Sequence, residues 1–127
     1  MILLGAGIDI VEVQRIKDII ERRGDKFIEK IMHQKELEEL ANVSNLEAFV
    51  AKRFAVKEAA AKALGTGIGK QLSFTDMYVE HDDLGKPLLK FTDDCCLRLS
   101  MHNKHSLLTI ADERAYAVAH VLIFAKE

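Results

Sequence analysis

Ala51-Lys52-Arg53-Phe54-Ala55-Val56-Lys57-Glu58-Ala59-Ala60-Ala61-Lys62-Ala63-Leu64-Gly65-Thr66-Gly67-Ile68-Gly69 is the stretch on which the reading of the whole chain turns. Its alanines, lysines and leucine favour a helix. Residues three and four apart stack on a helix, so Phe54, Glu58, Ala61, Lys62 and Gly65 share one side. Phe49, Val56, Ala59 and Ala63 fall opposite and offer an apolar stripe. Ser44 and Glu47 form a capping-box pattern ahead of it, and Gly65 sits where a C′ glycine ends a helix. One carboxylate among several cations suits an anion held through a metal. The simpler reading is a solvated helix face with a Glu58–Lys62 ion pair.

The surrounding chain limits the choices. It has 127 residues, 49% of them hydrophobic and 30% charged, which is one globular domain's worth, taken as residues 1–127. A net charge of −2 argues against a general nucleic-acid binder, which would be strongly basic. Cys95 and Cys96 are adjacent, giving neither a disulfide framework nor a zinc spacing, and the natural compartment is a reducing cytoplasm. The apolar start MILLGAGIDIVEV lacks a basic leader and carries Asp9 and Glu12, so it is not read as a signal peptide. No run approaches the ~18 apolar residues of a membrane span.

Residues Ile2 to Val11 read as a buried strand. Asp9, between Ile8 and Ile10, is its anomaly: it either caps the next helix or leaves the strand as a metal ligand. A helix from Val13 to Arg23 stops near Gly24. On it and just beyond, Arg15, Ile19, Arg22 and Lys26 follow at spacings of four, three and four. That ridge is either a solvated basic face or a docking face for an acidic protein. Phe27 to Leu40 reads as two short helical pieces around Met32–His33. Leu72 to Glu80 and Leu88 to Thr92 read as strands of a hairpin. A short helix runs from Asp93 to about Asn103, and a second hairpin pairs Leu107–Ala111 with Ala115–Phe124. His102 and His105 lack partners at ligand spacing and are assigned to solvent or structure. Helices in the first half and hairpins in the second predict an α+β fold, an antiparallel sheet of hairpins packed with a long central helix.

Asp9 and Glu58 are the two carboxylates to place together. Magnesium takes one or two carboxylates plus substrate phosphates and water, leaving Arg53, Lys57, Lys62 and Lys86 for phosphate oxygens. Spacing alone does not bring Asp9 beside Glu58 in space.

At these residues the chain resembles a known family. Gly7-Ile8-Asp9-Ile10-Val11-Glu12, and the run from Arg53 to Ile68, look like the two signatures of holo-[acyl-carrier-protein] synthase. The likeness continues through Gln71-Leu72-Ser73-Phe74, Gly85-Lys86-Pro87 and Leu108 to Arg114, nearly end to end. The resemblance implies the 4'-phosphopantetheinyl transferase fold. It also implies transfer of phosphopantetheine from coenzyme A to a serine of apo acyl carrier protein, in fatty acid biosynthesis. It places Mg²⁺ on Asp9 and Glu58 and charge stabilisation on Lys62. Glu58, directly or through water, accepts the serine proton. Arg53, Lys57, Gly65, Thr66, Lys86 and Pro87 line the coenzyme A groove, and Arg15, Ile19, Arg22 and Lys26 receive the carrier protein. The family is typically a homotrimer with interfacial sites, so Asp9 and Glu58 of one site can belong to different chains. Two departures stand out. Many relatives have histidine where this chain has Asp112, and larger relatives have a third acid where it has Val11. Two other readings use the same residues: a metal-dependent nucleotide hydrolase, and a non-catalytic module that binds an acidic protein through the ridge.

Overall fold

Small residues set the architecture. The computed structural model describes residues 1–126, and strand β1 (Ile2–Glu12) lies against helix α4 (Leu46–Leu64), glycines on alanines. A Cβ on Gly5 would run into the Ala63 carbonyl oxygen, and one on Gly7 into that of Ala59. Backbone touches backbone at these two points, which is why the strand needs glycine there. Gly5, Gly7, Asp9 and Val11 alternate onto the α4 side, as the two-residue period of a strand requires.

Three strands form the main sheet in the order β1-β5-β4, all antiparallel, with β4 at Lys104–Asp112 and β5 at Tyr116–Ala125. Between β1 and β4 come α1 (Val13–Arg23), α2 (Asp25–Ile31), α3 (Gln34–Leu37), α4, a separate hairpin of β2 (Met77–His81) and β3 (Pro87–Phe91), and α5 (Asp93–Arg98). The core lies between the sheet and α4 and continues to α2 and β2, through Val11, Ile16, Ile28, Ile31, Val56, Leu72, Val121 and Ile123. The α+β expectation stands. Among the described residues no helix is long and apolar enough to cross a membrane.

Several local expectations need correction. The central helix is capped by Asn45, whose side-chain oxygen accepts the Ala48 N–H at 3.0 Å, so Ser44 and Glu47 form no capping box. Its two-sided character also fails. Eleven of its 19 residues are buried, including Arg53 and Lys57, because the sheet covers one flank while α1, α2 and β2 crowd the other. The strand expected from Leu72 begins only at Met77. Before it, Ser73 and Asp76 make reciprocal bonds around a 3-10 turn at Phe74–Asp76. The helix from Asp93 ends at Arg98, followed by Ser100 at φ 53° and a 3-10 turn at Met101–Asn103.

The first strand is buried on one face only. Ile8 and Ile10 are 59% and 62% exposed, and with Leu4, Leu107 and Tyr116 they leave an open apolar face on the outside of the sheet. His120 is in register with Ile8 and Thr109 and lies exposed on that face.

Candidate active site

β1 and α4 meet at Asp9, Glu58 and Lys62. Because α4 rests on Gly5 and Gly7, its next exposed turn passes Asp9 at close range. Lys62 Nζ donates to Asp9 Oδ1 at 3.0 Å and to the Ile8 carbonyl at 2.9 Å. The Asp9 side chain is 16% exposed and that of Lys62 53%, so the pair opens to solvent on the lysine side. Glu58, one turn earlier, is half-buried. Burial pushes its carboxyl above the usual range, the neighbouring Asp9 charge adds to this, and Lys62 and Arg15 oppose it. Two carboxylates and two cations thus converge within a single chain. The family resemblance allows Asp9 and Glu58 of one site to come from different subunits. Here they are neighbours in one.

Arg15 belongs by sequence to the docking ridge, yet its charge also acts on Glu58. The rest of that ridge does form a surface. Ile19, Arg22 and Lys26 line a groove of about 640 Å³ together with Arg23, Phe27 and Lys30. It is a basic rim around an apolar floor.

Lys57 corrects the expectation of a phosphate ligand. Its side chain is fully buried, donating to Glu36 Oε1 at 2.6 Å and to the Ile31 carbonyl at 2.5 Å. Burial lowers its pKa, and the Glu36 carboxylate works against that shift. Arg53 is also sequestered. Its Nη1 donates to Glu36 and Glu39, both at 3.1 Å, and its guanidinium lies 4.5 Å from the centre of the Phe49 ring. Its edge faces a separate groove of about 380 Å³ with Lys52, His81, Pro87 and Asp112. Lys86 lies at the mouth of another, of about 320 Å³, between β3 and β4. Neither groove contains Asp9, Glu58 or Lys62.

Gly65 closes α4 in the left-handed region at φ 77°, and the N–H groups of Gly65, Thr66 and Gly67 turn back onto the Lys62 and Ala61 carbonyls. Glycine is required there because an L side chain is strained at that φ. The Thr66 hydroxyl stays at the surface and donates to the Gly67 carbonyl at 2.9 Å. No group of three or more His, Cys, Asp or Glu side chains able to hold a metal occurs among the described residues. Val11, two residues beyond Asp9, is buried in the core.

Glu36 escaped sequence reading altogether. It sits on a four-residue helix too short to show periodicity, and nothing around it marks a buried acid.

The chain is similar to known proteins along almost its whole length. The model of the 4'-phosphopantetheinyl transferase superfamily matches residues 5–120. A holo-[acyl-carrier-protein] synthase of Shewanella denitrificans is 46% identical over 124 residues, covering 97% of this chain and 98% of the relative. The crystal structure of the Neisseria meningitidis synthase superposes with a TM-score of 0.92 at 34% identity, covering 97% and 99% of the two chains. That of the Bacillus anthracis synthase, in complex with CoA (3',5'-ADP), gives 0.83 at 37% identity over the full length of both. The chain belongs to the 4'-phosphopantetheinyl transferase superfamily and, within it, to the holo-[acyl-carrier-protein] synthases.

Proposed function

We propose that this chain transfers the 4'-phosphopantetheine group of coenzyme A to a serine of an apo acyl carrier protein, using Mg²⁺ and serving fatty acid biosynthesis in the cytoplasm. The observation that carries the reading is the convergence of Asp9, Glu58 and Lys62 within one chain whose relatives carry this name. A solved relative that binds coenzyme A supports the donor, and the free, unpaired cysteines Cys95 and Cys96 suit a reducing compartment.

In the reaction, the serine oxygen forms a bond to the phosphorus bearing pantetheine. The bond from that phosphorus to the bridging oxygen breaks, and adenosine 3',5'-bisphosphate leaves with the electron pair. Asp9 and Glu58 are the carboxylates that would hold Mg²⁺, which supplies charge neutralisation on the diphosphate when bound. An ammonium has three donors. Two of those on Lys62 are engaged by Asp9 and Ile8, which leaves one for a phosphate oxygen as charge grows there. Glu58, directly or through water, takes the serine proton. Gly65 and Thr66 at the end of α4 contribute the loop beside the diphosphate.

Arg22, Lys26 and Ile19 present a basic, partly apolar face suited to an acidic carrier protein, with Arg15 between that face and Glu58. We assign the outer sheet face to a homotrimer, since a contiguous apolar patch of this kind marks an interface. A trimer also accounts for Arg53, Lys86 and Pro87 lying in grooves apart from Asp9 and Glu58: a neighbouring copy would bring its groove to the coenzyme A nucleotide.

The test is acceptor dependence. With coenzyme A and magnesium, adenosine 3',5'-bisphosphate should appear only when apo acyl carrier protein is present. Release at the same rate without acceptor would instead identify a hydrolase.

A further inference from the structure

We propose that Glu36, acting through Lys57, is a positioning residue for the reacting centre: the pair sets the rotation of α4 and so the place of Glu58 and Lys62 opposite Asp9. The inference rests on the reading of those three residues as the centre of phosphopantetheinyl transfer.

Glu36 and Lys57 are both fully buried. Taking two charges out of water is rarely repaid in stability, and apolar pairs of similar volume do as well or better. What such a pair supplies is direction, and its bonds run to several elements at once. Glu36 Oε1 accepts from Lys57 at 2.6 Å and from the His33 N–H at 3.1 Å. Glu36 Oε2 accepts from Arg53 and from the Val79 N–H of β2, each at 3.1 Å. Lys57 reaches the last carbonyl of α2, at Ile31. One carboxylate thus ties α3, two successive turns of α4, and β2, while its lysine ties α2.

The strand-facing flank of α4 is held differently. There Ala59 and Ala63 rest on Gly7 and Gly5, a close contact of small residues, and the polar tie across to β1 is made by Lys62 itself, a half-exposed member of the site. Arg53 and Lys57 stand four apart on one flank and Ala59 and Ala63 four apart on the other, with Glu58 and Lys62 along the border. The apolar flank fixes distance and the polar flank fixes rotation. A small rotation would carry Glu58 away from Asp9 without unfolding anything, and reaction rates are steep in such displacements.

The experiment compares Glu36→Gln, Lys57→Met and the double variant Glu36→Met with Lys57→Met, in the carrier-protein assay with magnesium. Each is scored for kcat, for KM of coenzyme A and for thermal unfolding. The single variants should lose about tenfold or more in kcat, with KM for coenzyme A changed less than about twofold. The double variant removes both charges but leaves Arg53 and the Val79 N–H without their acceptor, so it should regain only part of the stability lost in Lys57→Met while keeping the full kcat defect, a split that a purely structural role does not produce. Three results would overturn the proposal: a double variant with wild-type kcat, a double variant that fails to fold, or a Lys57→Met effect confined to KM. Absence of transfer by the wild-type protein would instead refute the functional reading beneath it.

Discussion

Substituting Gly7 by alanine should damage both fold and chemistry, because a single methyl group reaches the point where β1 carries Asp9 past α4. Built on the existing backbone, the new Cβ would lie 2.7 Å from the Ala63 nitrogen and closer still to the Ala59 carbonyl oxygen. Both are backbone atoms of a buried helix, so no side chain can turn aside. Restoring contact near about 3.5 Å requires β1 and α4 to part by on the order of 1 Å. Overpacking of this kind costs about 1–3 kcal/mol. At roughly 4 °C per kcal/mol for a chain of this size, the unfolding midpoint should fall by about 4–12 °C. The same displacement moves Asp9 from Lys62, now 3.0 Å apart, and from Glu58. Turnover of the folded protein should drop by on the order of a hundredfold. Gly69→Ala is the matched control, since that glycine has open space around it and a φ outside the left-handed region. The assay is thermal unfolding by circular dichroism beside phosphopantetheine transfer, both below the lower midpoint. If Gly7→Ala matched Gly69→Ala in both, the close approach of strand and helix would not be what assembles the site.

Three further outcomes follow from named groups. Glu58 has its folded pKa raised, chiefly by burial and then by Asp9, so its charged form opposes folding. Its favourable contribution is present below the ordinary glutamate pKa and is lost as pH rises through the raised value. In chelator, Glu58→Gln should therefore gain unfolding temperature relative to wild type at pH 7 and show little gain at pH 4, read by scanning calorimetry. Arg22→Glu with Lys26→Glu places like charge against an acidic partner. It should raise KM for the carrier protein roughly tenfold or more, in a salt-dependent way, and leave KM for coenzyme A unchanged. Ile10→Arg puts a charge in the open sheet face, and sedimentation velocity should show the wild type as a trimer and the variant as a smaller species.

Most of the fold was legible because its signals are local. The helix boundaries at Arg23 and Gly65 follow from glycine, and the hairpins from their turns and alternating apolar residues. The pairing of Asp9 with Glu58 could be framed from charge types but not placed, since no spacing law joins a strand to a helix 49 positions away (58 − 9). The misreadings share one cause. Sequence periodicity treats lysine and arginine as surface residues, yet Lys57 and Arg53 are buried by a partner, Glu36, that only tertiary structure supplies. The reverse error occurred at Ile8 and Ile10. Their apolarity signalled burial, yet within one chain they stay exposed, and the homotrimer proposed above would cover them.

The most direct test of the central claim is the intact mass of apo acyl carrier protein after incubation with coenzyme A, magnesium and either the wild-type protein or Glu58→Gln. Wild-type protein should add the mass of one phosphopantetheine group. Glu58→Gln, folded as judged by circular dichroism, should add none in the same time. A folded Glu58→Gln that modifies the carrier at the wild-type rate would contradict the assignment of Asp9, Glu58 and Lys62 as the reacting centre.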